Sequence, residues 1–234
     1  MKIRFTAPAL ALLLALPAVS LLAQIKPTGA LEGLTAPKPE VEEIYNVLGE
    51  FVRNAYNNQG YAVIGYRMVQ QEVGNPWILL NLGVTLRAGV KDYRLTRDAL
   101  TVKTPDGKII PLSTQQEYAK DLTMRALNER ARIVRDSINY FPPGTTQPCA
   151  IRFFAEPDGP GLSYDFVDLL DVRACLGRLY FKVPGGIQTG QHWLNVKFAT
   201  STVQVPFRVF TKDEEKAFRK QWDGLAKALE ESYK

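Results

Sequence analysis

From Tyr61 onward the dominant rhythm of the chain is alternation. Ile78, Leu80, Leu82, Val84 and Leu86 share one face of an extended segment, while Asn81, Thr85 and Arg87 share the other. This is the period-two signature of a strand with one buried face. A slip of one residue would turn the whole apolar row to solvent, so the register is strongly fixed. Leu100 and Val102 alternate with Thr101 and Lys103, Thr104-Pro105-Asp106-Gly107 supplies turn chemistry, and residues 109–112 return apolar. That pattern predicts a β-hairpin. Further strands are expected over residues 150–154, 162–170, 178–183, 192–198 and 203–209, separated by Gly/Pro turns. Many short strands at close spacing argue for an antiparallel β-sandwich. The lack of regular helix–strand alternation argues against a parallel α/β sheet.

Three stretches change period. Residues 40–57 open after Pro39 with Glu40, Glu42 and Glu43, and place Ile44, Leu48, Phe51 and Ala55 at i, i+4, i+7 and i+11. The spacing predicts an N-terminal amphipathic helix. Residues 114–139 follow a Ser113/Gln116 capping-box pattern with a Leu127, Ala131, Val134, Ile138 stripe, and Phe141-Pro142-Pro143-Gly144 stops them. They are expected to form a helical insertion. Residues 212–231 begin with Thr211 and Glu214 and repeat Phe218, Trp222, Leu225 and Leu229, which predicts a C-terminal helix. Each helix needs apolar ground to cover. The second faces of the strands carry Trp77, Tyr180 and Trp193, which either lie beneath a helix or contact a ligand or partner. The fold class expected is mainly β with accessory helices: an immunoglobulin-like sandwich with a helical insertion and flanking N- and C-terminal helices.

Residues 1–23 read as an address. Lys2 and Arg4 precede an apolar run from Ala9 to Leu16, then small residues around Ala18, Ser20 and Ala23, the layout of a secretory signal peptide cleaved after Ser20 or Ala23. An uncleaved membrane anchor is the other reading, and Pro17 and the short apolar length count against it. Residues 24–38, with Pro27, Gly29, Gly33 and Pro37, read as a flexible leader, and 39–234 as a single domain. The expected location is periplasmic or secreted, with membrane contact only through the signal segment if it is uncleaved.

Losing Lys2 and Arg4 lowers the formal charge from +5 to +3. That surplus is too small over so long a chain to indicate nucleic-acid binding. A 46% hydrophobic share excludes wholesale disorder. Cys149 and Cys175 are the two cysteines, and in an oxidising compartment a disulfide is favoured over two buried thiols.

The stretch Gly177-Arg178-Leu179-Tyr180-Phe181-Lys182-Val183-Pro184, followed by Gly190-Gln191-His192-Trp193-Leu194-Asn195-Val196, resembles the late strands of exported bacterial immunoglobulin-like domains. In those domains a tyrosine near the start of the later strand bonds back to nearby backbone, forming a structural corner. His192 stands where that tyrosine would be, two residues before Leu194. The resemblance implies a β-sandwich and a corner role for His192; a shared fold carries no activity with it.

Catalytic signatures are sparse. His192 is the single histidine, so any Ser-His-Asp or Cys-His arrangement must use it. Phosphate-binding glycine loops and zinc-ligand spacings do not occur. Asp165, Asp168 and Asp171 recur at intervals of three, which on a strand sends Asp165 and Asp168 to opposite faces rather than into a catalytic pair. Glu156 and Asp158 offer a calcium site or a plain turn. Arg125, Arg130, Arg132 and Arg135 invite an acidic partner, although the Asp121/Arg125, Arg125/Glu129 and Arg132/Asp136 spacings suit a solvated, ion-paired helix face. No cofactor, metal or catalytic residue is assigned. The function expected is non-catalytic binding or structural work at the envelope or outside the cell, towards an envelope protein or glycan. A carbohydrate-binding module using exposed aromatics is the alternative, and a carboxylate-based hydrolase a distant third.

Overall fold

The computed structural model describes residues 44–156 and 161–232. The signal, leader and Asp158 readings lie outside these residues. Three sheets form. The largest runs in the order β1 (Ile44–Gly49), β2 (Val52–Tyr56), β3 (Gly60–Gly65), β4 (Trp77–Leu86), β10 (Arg173–Lys182), β8 (Gln147–Ala150). The second runs β12 (Thr202–Val209), β11 (Gly190–Lys197), β6 (Leu100–Lys103), β7 (Ile109–Pro111). A two-stranded ribbon joins β5 (Tyr93–Thr96) to β9 (Phe166–Leu169). Pairing is antiparallel throughout except between β8 and β10. The protein is thus mainly β, with antiparallel sheets and four α-helices among the described residues.

The alternation in β4 sets the layers. Ile78, Leu80, Leu82, Val84 and Leu86, with Leu179 and Phe181 of β10, share one buried cluster with Leu100, Val102, Leu194, Val196, Val203, Val205 and Phe207 of the second sheet. Removing each large aliphatic or aromatic side chain from water contributes about 1.5–3 kcal/mol, so this shared cluster holds the two sheets together. At Gly60 a Cβ would lie 2.0 Å from the Phe198 ring; only a glycine lets β3 sit this close to that ring. The β6–β7 hairpin forms as its sequence predicts, with Gly107 at φ 84°.

The opposite face of the large sheet is covered by the insertion. This is not one helix over 114–139 but two, α2 (Gln115–Lys120) and α3 (Thr123–Ile133), after the short α1 (Arg67–Gln71). The capping box is Thr114/Glu117, one residue later than Ser113/Gln116 suggests. Ser113 instead extends the sheet: its N–H donates to Tyr180 O at 3.0 Å and its Oγ accepts from Lys182 N at 2.9 Å. Asp121 breaks the helices by accepting from the Thr123 N–H and hydroxyl and from the Trp77 indole. Beyond Ile133 the chain runs without helix, and Ile138 and Phe141 cover Val52, Tyr61 and Val63. Asp136 holds this segment through Arg67, whose backbone N–H and Nε donate to it at 2.9 and 3.1 Å.

The expected N-terminal helix over 40–57 is instead the β1–β2 hairpin, turning at Glu50-Phe51. Phe51 and Ala55 are buried as that stripe demands, but the same apolar positions serve a strand pair. Ile44, Tyr45, Val47, Val52 and Tyr56 are strand formers, and β2 satisfies the backbone groups that β3 would otherwise present at an open edge. The C-terminal helix α4 (Lys212–Ser232) follows its sequence signals, with Thr211 and Glu214 exchanging capping bonds. Its Phe218 stacks on Phe210 at 4.8 Å, and Arg219 reaches Glu50 at 3.1 Å.

Candidate functional site

The disulfide Cys149–Cys175 forms, across the register position where β8 meets β10. Just beyond it the chain leaves the sheet as Ile151-Arg152-Phe153-Phe154, so the strand, Gln147–Ala150, lies earlier than the one expected over 150–154. Ile151 N–H donates to Leu176 O at 2.7 Å. Gly177 makes room for this crossing, since a Cβ there would fall 2.4 Å from the Ile151 carbonyl oxygen. Arg97 locks the segment by donating to the carbonyls of Phe153 and Ser113.

The crossing walls a groove of about 280 Å³ lined by Ile151, Arg152, Phe154, Glu156, Leu162 and Arg178 above Gly177. Arg178 donates to Glu156 at 2.9 Å and to Ala131 O at 3.3 Å, which places a matched ion pair at the rim beside the exposed Arg152. Beside the groove runs an exposed ridge of Leu162, Tyr164 and Phe166, at 58, 46 and 41% exposure. Tyr164 N–H donates to Arg152 O at 2.7 Å, fixing ridge to wall. Arg94 lies 3.9 Å from the Phe166 ring centre. Apolar walls, a matched ion pair and protruding aromatics suit recognition of a partner surface.

Sequence reasoning did not find this site. One signal was present: Leu162, Tyr164 and Phe166 alternate in one phase and Val167 and Leu169 in the other, so one set had to face outward. Val167 and Leu169 are the buried set.

Trp77 and Tyr180 do not face outward; both are fully buried, which corrects their reading as ligand contacts. The Trp77 indole donates to Asp121 at 2.8 Å, holding that carboxyl at about 2, together with Thr123, whose hydroxyl bond is the larger influence. Tyr180 packs against Tyr118 and Phe154, and its hydroxyl donates to Asn128 Oδ1 at 2.6 Å. Asn128 in turn donates to Tyr118 Oη and Met124 O. Trp193 is half-buried, with Lys103 Nζ 5.5 Å from its ring.

His192 is fully buried, stacked on Phe207 at 5.2 Å, with Nδ1 3.2 Å from Gly190 O. A carbonyl only accepts, so Nδ1 carries the proton, and Nε2 has no hydrogen-bond partner. Burial lowers the imidazole to about 4. The unfolded imidazole takes up a proton below about pH 6.5, whereas the folded one stays neutral to about pH 4. Stability present above pH 6.5 is therefore lost as pH falls towards 4, by about 3 kcal/mol. His192→Gln is expected to remove this slope in urea unfolding across pH 4–7; the same slope in both proteins would refute it.

The three aspartates do not converge. Asp168 pairs with Arg94 at 2.8 Å, a bond that holds its carboxyl below the usual range, opposite to what a general acid needs. Asp171 accepts from Gly89 N at 3.0 Å. Of the arginine pairings expected along the insertion, Arg125–Glu129 forms at 3.4 Å, while Asp121 turns to Trp77 and Asp136 to Arg67. Among the described residues no group of three or more His, Cys, Asp or Glu side chains is placed to hold a metal. Comparison with protein-family models, curated proteins and solved structures returns no match.

Proposed function

We propose that this chain is an exported, non-catalytic binding protein on an immunoglobulin-like sandwich, engaging an envelope protein through the groove and its Leu162-Tyr164-Phe166 ridge. The observation that carries the reading is the pairing of this exposed apolar ridge with a walled groove, stapled to the sheet by a disulfide. Large protruding aromatics beside a concave surface are the usual anchors of protein contacts, and a structural disulfide favours an oxidising compartment.

The strand order supports the immunoglobulin-like assignment. Reading β3-β4-β10-β8 as A-B-E-D and β12-β11-β6-β7 as G-F-C-C′ reproduces the neighbours and the hairpin F–G of that fold. His192 then falls near the start of strand F, with its ring bonded to nearby backbone as a corner residue's would be. Two departures stand beside this: β8 runs parallel to its neighbour, and the disulfide joins D to E rather than B to F.

A photo-crosslinking phenylalanine analogue at Tyr164, with Lys108 on the β6–β7 turn as control, tests the reading in cells after fractionation. A discrete adduct from Tyr164 alone, lost with Leu162→Ser, is expected in the extracytoplasmic fraction. Equal labelling from both positions, or a reduced chain in the cytoplasm, overturns it.

Trp193 favours a second reading. It stands in a cross-strand row with Lys103, beside the Thr101-Asn195-Gln204 row whose side chains are hydrogen-bonded together. An aromatic face next to amides and a hydroxyl suits a sugar ring. The carbohydrate reading now rests on this face, since Trp77 and Tyr180 are inside. Tryptophan fluorescence with a glycan panel, comparing Trp193→Ala, decides it: a response absent from the variant supports sugar stacking.

A further inference from the structure

Beyond α3 the chain crosses the large sheet, on the face turned away from the second sheet, as a strap over residues 134–141. The strap's backbone does not join the sheet. Among the described residues, no N–H or C=O from 135 to 141 bonds to another backbone group. Three side chains hold it instead. Ile138 packs on Val52, Tyr61 and Val63, in a cluster separate from the main core. The Phe141 ring centre lies 6.2 Å from that of Tyr61. The Asp136 side chain is only 2% exposed and accepts both Arg67 bonds, from the backbone N–H and from Nε.

The sheet is shaped to receive two of these side chains. In β3, Tyr61, Val63 and Gly65 form the set under the strap, and in β4 Gly83 lies opposite Val63. A Cβ at Gly65 would fall 2.6 Å from Asp136 Cβ and 2.9 Å from its Oδ2, and one at Gly83 would fall 2.6 Å from the Phe141 ring. Neither glycine has a positive φ, so what each supplies is room. Glycine inside a strand weakens it and marks a close approach; two beneath one strap make two seats. One seat takes a carboxyl group on two Arg67 donors, the other takes an aromatic ring, and the apolar patch between them takes an aliphatic side chain.

We propose that the strap is a displaceable occupant of this face, and that the face binds a partner segment bearing a carboxylate and, five residues later, an aromatic ring. Charge complementarity selects the carboxylate. With Asp136 gone, Arg67 keeps Glu50 at 2.9 Å, while its backbone N–H and Nε stand open. Segments with little backbone bonding and few buried contacts open without global unfolding. The strap is thus an inhibitor in cis, and a partner competes against a local strap concentration of about millimolar order. The inference does not depend on the groove being a partner site.

Thiol labelling of the full chain tests the displacement. Val63 beneath the strap and Val84 between the sheets are both fully buried. V63C is expected to react at least about tenfold faster than V84C in native buffer, because only the strap has to move. A V63C rate no faster than that of V84C means that the strap leaves only with the whole fold, and overturns the proposal. A fluorescent peptide carrying residues 134–143 tests the seats. D136S/F141S, whose own strap lacks two anchors, should bind it at least about tenfold more tightly than wild type. Peptides carrying D136N or F141S should lose that binding. No binding by D136S/F141S with unchanged circular dichroism overturns the proposal, as does equal binding of the altered peptides. Should D136S/F141S not fold, the unaltered peptide must slow V63C labelling, and a rate left unchanged at saturating peptide overturns it.

Discussion

Replacing Cys149 and Cys175 together by serine is expected to destabilise the protein by about 3.5 kcal/mol, from the loop-closure entropy of a cross-link with a sequence separation of 26. β8 is a short edge strand held by one neighbour, and three of its four residues are exposed. Little besides backbone bonding and the covalent link holds it, so the loss should begin there. Hydrogen exchange should show residues 147–151 opening well before β4 and β10 in the serine protein, and with them in the wild type. Simultaneous opening in both would mean that β8 needs no staple.

Gly177→Ala should cost about 3 kcal/mol, near the upper end for adding a methyl group to a packed interior. Its Cβ would meet the Ile151 carbonyl oxygen and Cβ at 2.4 and 2.6 Å. A flexible side chain would swing away, but here the obstacle is backbone, tied by the Ile151 bond to Leu176 and, two residues earlier, by the disulfide. The two sites should therefore couple. In the serine background Ile151 is freer to move, and the penalty should shrink by about 1 kcal/mol or more in a double-mutant cycle. Strict additivity of the urea-unfolding energies would show that the staple does not restrain Ile151.

What could be read from the chain was what is written locally. Strands β4, β6, β11 and β12 form close to where their alternation places them, because a slip would expose an apolar row, while β10 begins five residues before the stretch expected over 178–183 and, like β4, is buried on both faces. Helix α4 likewise carries its own caps and stripe. The β1–β2 hairpin was read as a helix because Ile44, Leu48, Phe51 and Ala55 suit a helical face equally well. The deciding fact, that β3 offers an open edge, lies outside the segment. Val134 and Ile138 prolonged the apparent helical insertion in the same way, although Ile138 is buried against Val52, Tyr61 and Val63. The groove was least legible. It depends on a parallel pairing between β8 and β10 and on the close approach at Gly177, neither of which has a local signature. Trp77 and Tyr180 stood correctly on the second face of their strands; what covers them is α2 and α3, and the sequence alone left open whether helix or ligand would do so.

The bond between β8 and β10 also makes a closed ring of the chain from 149 to 175, and that ring contains the ridge, the ribbon strand β9 and most of the groove wall. The ring begins and ends on adjacent strands, and it is held a second time where β9 pairs with β5 and buries Val167 and Leu169. A backbone cut anywhere inside it would still leave a single covalent molecule, visible as one band until reductant separates the pieces.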